Sequence, residues 1–231
     1  MDDEPACPYR LVVFDFDGTL ADSYGWFVGV INDVAARYRF RRVEAYEADM
    51  LRGMDARGIV RHLGIPAWKL PLIARHMHRL AARDAEAIGL FPGIDAMLAE
   101  LGAAGFVLAV VSSNTEANIR TILGGPLAAR FDHYACGASV FGKAKRLRAV
   151  MKAAGVAPHE TVAIGDEIRD GDAAAQAGCD YAAVAWGYTR VDALAARQPV
   201  AVFAHPGDIA AYLGTRRRPA EIGRNTAKPP T

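Results

Sequence analysis

The sequence predicts an α/β fold, a doubly wound parallel sheet with a helical domain inserted into it, and three observations carry that expectation. Short apolar runs recur, each closing in small or polar residues: "LVVFDF" (11–16), "FVLAVVSS" (106–113), "FDHYACG" (131–137), "TVAIGD" (161–166) and "DYAAVAW" (180–186). Near-continuous apolar runs suit strands covered on both faces, as in a parallel sheet. Helical patterns at about 93–104, 115–129, 143–154 and 170–177 alternate with them, which is the order of an α/β core. Finally, residues 24 to about 90 pattern as helices throughout, and a stretch of that length is too long for a loop.

In chain order, residues 1–22 and 91–214 are expected to form the core, 23–90 an inserted helical cap, and 215–231 a disordered tail. Asp22 and Ser23 read as the N-cap of a helix starting near Tyr24. "LGGPL" (123–127) reads as a helix end before a turn, and "AVFAH" (201–205) as one more short strand before a helix at about 207–213. The closing "TRRRPAEIGRNTAKPPT" is polar and proline-rich, and its arginines (Arg216 to Arg218) read as a solvated terminus.

Composition narrows the partners. The 231 residues are 52% hydrophobic and 23% charged, with a formal net charge of +1. That balance gives no electrostatic reason to expect nucleic acid or an anionic membrane. The apolar runs are too short to span a bilayer, and "MDDEPACPYR" lacks the apolar region of a secretory signal. Three widely spaced cysteines without a CxxC pair fit reduced thiols in a cytoplasm. Nothing in the chain sets an oligomeric state.

In an open α/β sheet ligands bind beyond the carboxyl ends of the strands. The first run delivers Asp15 and Asp17 to that edge, with Gly18 and Thr19 after them; the second delivers Ser112, Ser113 and Asn114; "GDEIRD" delivers Asp166 and Asp170. A helix start, "FGKAKRL", brings Lys143 and Lys145. Crowded carboxylates need a cation, and hard oxygen ligands suit Mg²⁺, which pairs readily with phosphate. One carboxylate can attack a phosphoryl group while a second moves the leaving-group proton. Hydroxyls and an ammonium stabilise the phosphoryl oxygens.

"DFDGTLADS", "SSN", the helix-start lysine and "GDEIRD" resemble the four ordered motifs of the haloacid dehalogenase-like superfamily. "LFPGIDAMLAELGAAGFVLAVVSSN" is typical of its phosphoglycolate-phosphatase-like branch. The resemblance extends to about residue 213 and implies a Rossmann-like core with a helical cap. It implies Asp15 as nucleophile, Asp17 as general acid/base whose carbonyl also touches the metal, and Ser112 and Asn114 as phosphoryl ligands. Asp166 and Asp170 would complete the Mg²⁺ site with Asp15 and Asp17, while Gly18 and Thr19 would line the phosphate. Lys143, directly after the glycine, fits the family lysine; Lys145 lies about 200° around the helix, so both cannot face the site. Relatives carry lysine-proline there and a small hydroxyl residue at Glu167, and this chain departs from both.

The expected activity is Mg²⁺-dependent hydrolysis of a small phosphorylated metabolite through an aspartyl-phosphate, with phosphoglycolate the first candidate. The alternatives are a phosphosugar mutase of the beta-phosphoglucomutase kind and a non-catalytic binding protein retaining the fold. Arg52 and Arg57 in the cap could meet an anionic group of the substrate. His76 and His78 stand two apart on a helix, so they share no face for a metal.

Overall fold

A computed structural model describes residues 8–137 and 142–215. Strand β1 (Leu11–Phe14) is buried along its whole length and leads through a tight turn to the two-residue β2 (Ala21–Asp22). Four helices follow: α1 (Tyr24–Tyr38), α2 (Ala48–Arg52), α3 (Ala56–His62) and α4 (Leu70–Arg83). The chain then returns through β3 (Gly89–Leu90), which pairs antiparallel with β2, Ala21 opposite Leu90. The entry to the helical segment and the exit from it therefore lie side by side.

The remainder alternates: α5 (Ile94–Ala103), β4 (Val107–Val111), α6 (Glu116–Ala128), β5 (His133–Ala135), α7 (Lys143–Ala154), β6 (Thr161–Gly165), α8 (Ile168–Ala177), β7 (Asp180–Val184), α9 (Val191–Ala195), β8 (Val202–Phe203) and α10 (Pro206–Thr215). β1 and these five strands form one parallel sheet in the order β5-β4-β1-β6-β7-β8. Successive side chains of a strand point to opposite faces, and β1 divides accordingly. Val12 and Phe14 join Val110 and Ile164 under α5, α6 and α10, whereas Leu11 and Val13 join Ala109 and Ala163 under α7 and α8. Helices thus cover both faces, as the apolar runs require. Each fully buried Leu or Phe contributes about 1.5–3 kcal/mol, so the two faces hold the sheet edge rigid.

Two local readings change. Helix α1 does start at Tyr24, but the Ser23 side chain makes no cap hydrogen bond. Its Oγ lies 2.9 Å from the Tyr188 hydroxyl instead, because Ser23 is fully buried against the core, while Asp22 is exposed. In "LGGPL" the helix breaks at Gly124 (φ 73°, ψ 158°) and resumes for one turn to Ala128, with Pro126 in the restarted turn, where its missing N–H is tolerated. Most of the expected tail, including Arg216 to Arg218, lies outside the described residues.

Candidate active site

Strand β1 sits between β4 and β6, with Phe14 opposite both Val110 and Ile164. The chain runs outward from β1 to β4 and β5, then returns to place β6 on the other side of β1. At such a reversal the loops after the strands part and leave a crevice. Asp15 and Asp17 enter it from β1, Ser112 and Asn114 from β4, and Asp166 and Asp170 from β6.

Asp15 is 3% exposed. Its Oδ1 accepts the Phe16 amide at 2.8 Å, which fixes the carboxylate plane. Its Oδ2 faces the Lys143 ammonium at 2.7 Å, and no hydrogen-bond donor among the described residues is aligned on that oxygen. Lys143 Nζ also donates to Asp170 Oδ1 at 2.6 Å. Burial works against the ammonium, yet Asp15 and Asp170 outweigh it and raise its pKa, so Lys143 stays charged. Lys145 is exposed on the same helix.

Asp17 has a different environment. Burial first, and the Asp15 charge second, push its carboxyl up to about 6, against hydrogen bonds from Asn114 and Ser23. Asn114 Nδ2 reaches Asp17 Oδ2 at 3.1 Å. The Asn114 Oδ1 is held in turn by the Thr115 amide (2.8 Å) and by Asn118 Nδ2 (3.0 Å). Ser112 is buried, and its Oγ accepts the Asn114 amide at 3.1 Å. Neighbouring acids whose environments differ are suited to different roles.

Asp166 is completely buried; its Oδ1 accepts the Thr19 hydroxyl at 2.7 Å and its Oδ2 the Tyr188 amide at 2.8 Å. Asp170 Oδ2 accepts the Glu167 amide at 2.9 Å. Burial raises the pKa of both acids, with Glu167, Asp170 and Asp15 adding to it at Asp166, and Asp15 adding to it at Asp170 against Lys143. Asp15, Asp166 and Asp170 bring carboxylate oxygens within 4.8 Å of one another. Three buried hard-oxygen donors with excess negative charge fit a divalent cation.

Gly18 makes this convergence possible. Its φ is +81°, and a Cβ there would lie 2.3 Å from Asp166 Oδ2. Of the other expected contacts, the Thr19 hydroxyl is committed to Asp166. Arg52 gives its Nε and Nη2 to the carbonyls of Tyr188 (2.9 Å) and Gly187 (3.1 Å) and lies over the Tyr24 ring. Arg57 does not line the cavity beside Asp17; it lines a second, smaller one of about 180 Å³ together with Lys143 and Arg169.

Several participants were not singled out from the sequence. Arg169 pairs with Glu167, and although burial opposes its charge, Glu167, Asp15 and Asp170 raise its pKa. It stands between the acids of "GDEIRD", where a lone cation was a usable signal. Tyr188 supplies an amide to Asp166 and a hydroxyl to Ser23. Its "WGY" context follows a strand at the same sheet edge, so the edge rule could have found it. His78, which the helix spacing sets aside as a metal ligand, has a different part. It reaches Ser113 with a hydrogen bond to the backbone, and its carbonyl accepts from Asn118 Nδ2 at 2.9 Å.

A cavity of about 510 Å³ opens from Asp17, Asn114 and Arg169 into the space between α1, α2, α3 and α4. No helix among the described residues is long and apolar enough to cross a membrane.

The model of the haloacid dehalogenase-like hydrolase family matches residues 12–184, and the chain belongs to that family. It is similar to a phosphoglycolate phosphatase of Synechococcus elongatus, 31% identical over 201 residues, covering 87% of this chain and 95% of the relative. It is also similar to the tyrosine-protein kinase PtkA of Mycobacterium tuberculosis, 31% identical over 187 residues, covering 79% of this chain and 64% of the relative. Among solved structures, CbbY from Rhodobacter sphaeroides in complex with phosphate superposes with a TM-score of 0.68 at 27% identity, covering 87% of this chain and 96% of that one.

Proposed function

We propose that this hydrolase is a Mg²⁺-dependent phosphomonoesterase acting through an aspartyl-phosphate on a small phosphorylated metabolite. The observation that carries the reading is the contrast between the two acids after β1. Asp15 is pinned by the Phe16 amide and paired with Lys143, while Asp17, two residues on, is pushed up to about 6 and can carry a proton near neutral pH.

Asp15 Oδ2 attacks phosphorus as the ester P–O bond breaks, and the proton on Asp17 passes to the departing alcohol oxygen. Asp17, now ionised, takes a proton from water as that water attacks phosphorus; the acyl-phosphate bond breaks, freeing inorganic phosphate and Asp15. Asn114 orients Asp17 for both transfers. Lys143 offsets charge on Asp15 and the phosphoryl oxygens. Asp15, Asp166 and Asp170 would hold Mg²⁺, which when bound neutralises the acid cluster and the phosphate. The helices between β2 and β3 act in this reading as a cap that excludes bulk water.

The similarity to phosphoglycolate phosphatases makes phosphoglycolate the first substrate to assay. The test is phosphate release from p-nitrophenyl phosphate and from a panel of phosphorylated metabolites, with and without Mg²⁺. Metal-dependent release that Asp15→Asn abolishes supports the reading. An isomeric phosphosugar without free phosphate would identify a mutase instead, and wild-type turnover by Asp15→Asn would overturn the nucleophile assignment.

A further inference from the structure

The cavity beyond Asp17 has a chemistry of its own. Asp17, Asn114, Glu167 and Arg169 line it at the sheet edge, and from the insertion come Glu44 and Asn32, whose side-chain amide is spent on the Val43 backbone. Away from that edge it is walled by Phe27 and Ile31 of α1, Leu51 of α2, Ile59 of α3, the adjacent Leu63, and Met77 of α4. Cations on the wall are already engaged. Arg52 has Nε and Nη2 on two backbone carbonyls, and Arg169 is paired with Glu167. Burial lowers the pKa of His78, which keeps its imidazole neutral near pH 7.

A volume of about 510 Å³ within apolar walls is far more than interior packing leaves as a defect. It falls in the range of small-molecule sites, which are apolar with a few polar groups at one end. Val28, 47% exposed, lies on its rim, so the volume communicates with solvent. Its inner end is Asp17, the group that hands a proton to the leaving oxygen. Whatever fills the cavity is therefore joined to that oxygen. A glycolyl group has a two-carbon body and a carboxylate, and it would leave most of the apolar wall bare.

Building on the phosphomonoesterase reading, we infer that the preferred substrate is the phosphate ester of a predominantly apolar alcohol, whose hydrocarbon body lies among α1, α2, α3 and α4. Specificity then comes from burial of hydrocarbon rather than from recognition of a second charged group.

The test is kcat/KM at saturating Mg²⁺ for n-alkyl phosphates from ethyl to octyl, alongside phosphoglycolate and p-nitrophenyl phosphate. The alkyl alcohols are nearly equal as leaving groups, so the series reads burial rather than reactivity. The expected result is a rise of about fourfold per added methylene until the cavity is full, with hexyl phosphate above phosphoglycolate. Met77→Trp, which narrows the cavity, should move the maximum to a shorter chain. Metal-dependent turnover with a flat or falling series, or with phosphoglycolate preferred, overturns this inference and leaves the phosphatase reading standing. No metal-dependent release from any ester, p-nitrophenyl phosphate included, overturns both.

Discussion

Lys143 Nζ stands 2.7 Å from Asp15 Oδ2, a fully formed ion pair at the centre of the acid cluster. The lysine begins α7 and the aspartate directly follows β1, so the contact exists only because the sheet brings those termini together. Its second partner, Asp170 Oδ1 at 2.6 Å, ties the first turn of α8 into the same charge centre. Lys143→Ala should lower kcat/KM by about 10²–10³-fold, the loss typical of one electrostatic stabiliser. Lys145→Ala, on the exposed side of the helix, should stay within about twofold of wild type. Steady-state kinetics on p-nitrophenyl phosphate decides between them.

Asp17 opposes folding of the metal-free protein at neutral pH. Its carboxyl rises from 3.8 to about 6 on folding, so between those values the folded state holds a proton that the unfolded state has released. The cost is full above about pH 6 and disappears below about pH 4. Asp17→Asn should therefore raise Tm in EDTA at pH 8, by at most about 3 kcal/mol in stability, and leave it unchanged near pH 3.5. Thermal melts at the two pH values measure the difference.

Gly18→Ala should damage both stability and activity. The φ of +81° costs a residue with a Cβ about 1–2 kcal/mol, and the methyl would strike Asp166 Oδ2 at 2.3 Å. Denaturant titration should show the loss of stability. Calorimetry with Mg²⁺ should show weaker binding, because the collision displaces an expected ligand.

Arg52 fastens the helical insertion to the loop after β7. Besides its side-chain bonds to Gly187 and Tyr188, its carbonyl accepts the Arg190 amide at 2.9 Å. The same loop presents the Tyr188 amide to Asp166. Arg52→Ala should speed amide exchange in residues 48–62 and 186–190 and raise KM. Arg52→Lys should not restore it, since an ammonium cannot span two carbonyls as a planar guanidinium does. Hydrogen exchange by mass spectrometry reads the first effect and kinetics the second.

Much of the fold was legible because its signals are local. The run "LVVFDF" is apolar on both faces, and only a strand between two helix layers satisfies that, which is where β1 lies. Asp166 and Asp170 were legible together because both fall in the short run "GDEIRD" that closes a strand pattern. Ser23 was misread because its capping signal is also local, whereas the competing contact with Tyr188 joins residues 165 apart. Arg52 reads as a free cation on a helix face until the loop after β7 is folded against it.

The sequence by itself determined which chemistry-bearing residues reach the carboxyl edge of the sheet, since strand periodicity and the end of each apolar run are properties of a few consecutive residues. Only the tertiary structure decided how those residues divide the work. The Lys143 ammonium stands beside Asp15 and the Asn114 amide beside Asp17, and Asn114, Thr19 and Tyr188 spend their donors on acids delivered by distant strands. The apolar cavity among α1, α2, α3 and α4 belongs to the tertiary structure too. It is a space between elements, and the shape of such a space depends on how helices remote in sequence are packed.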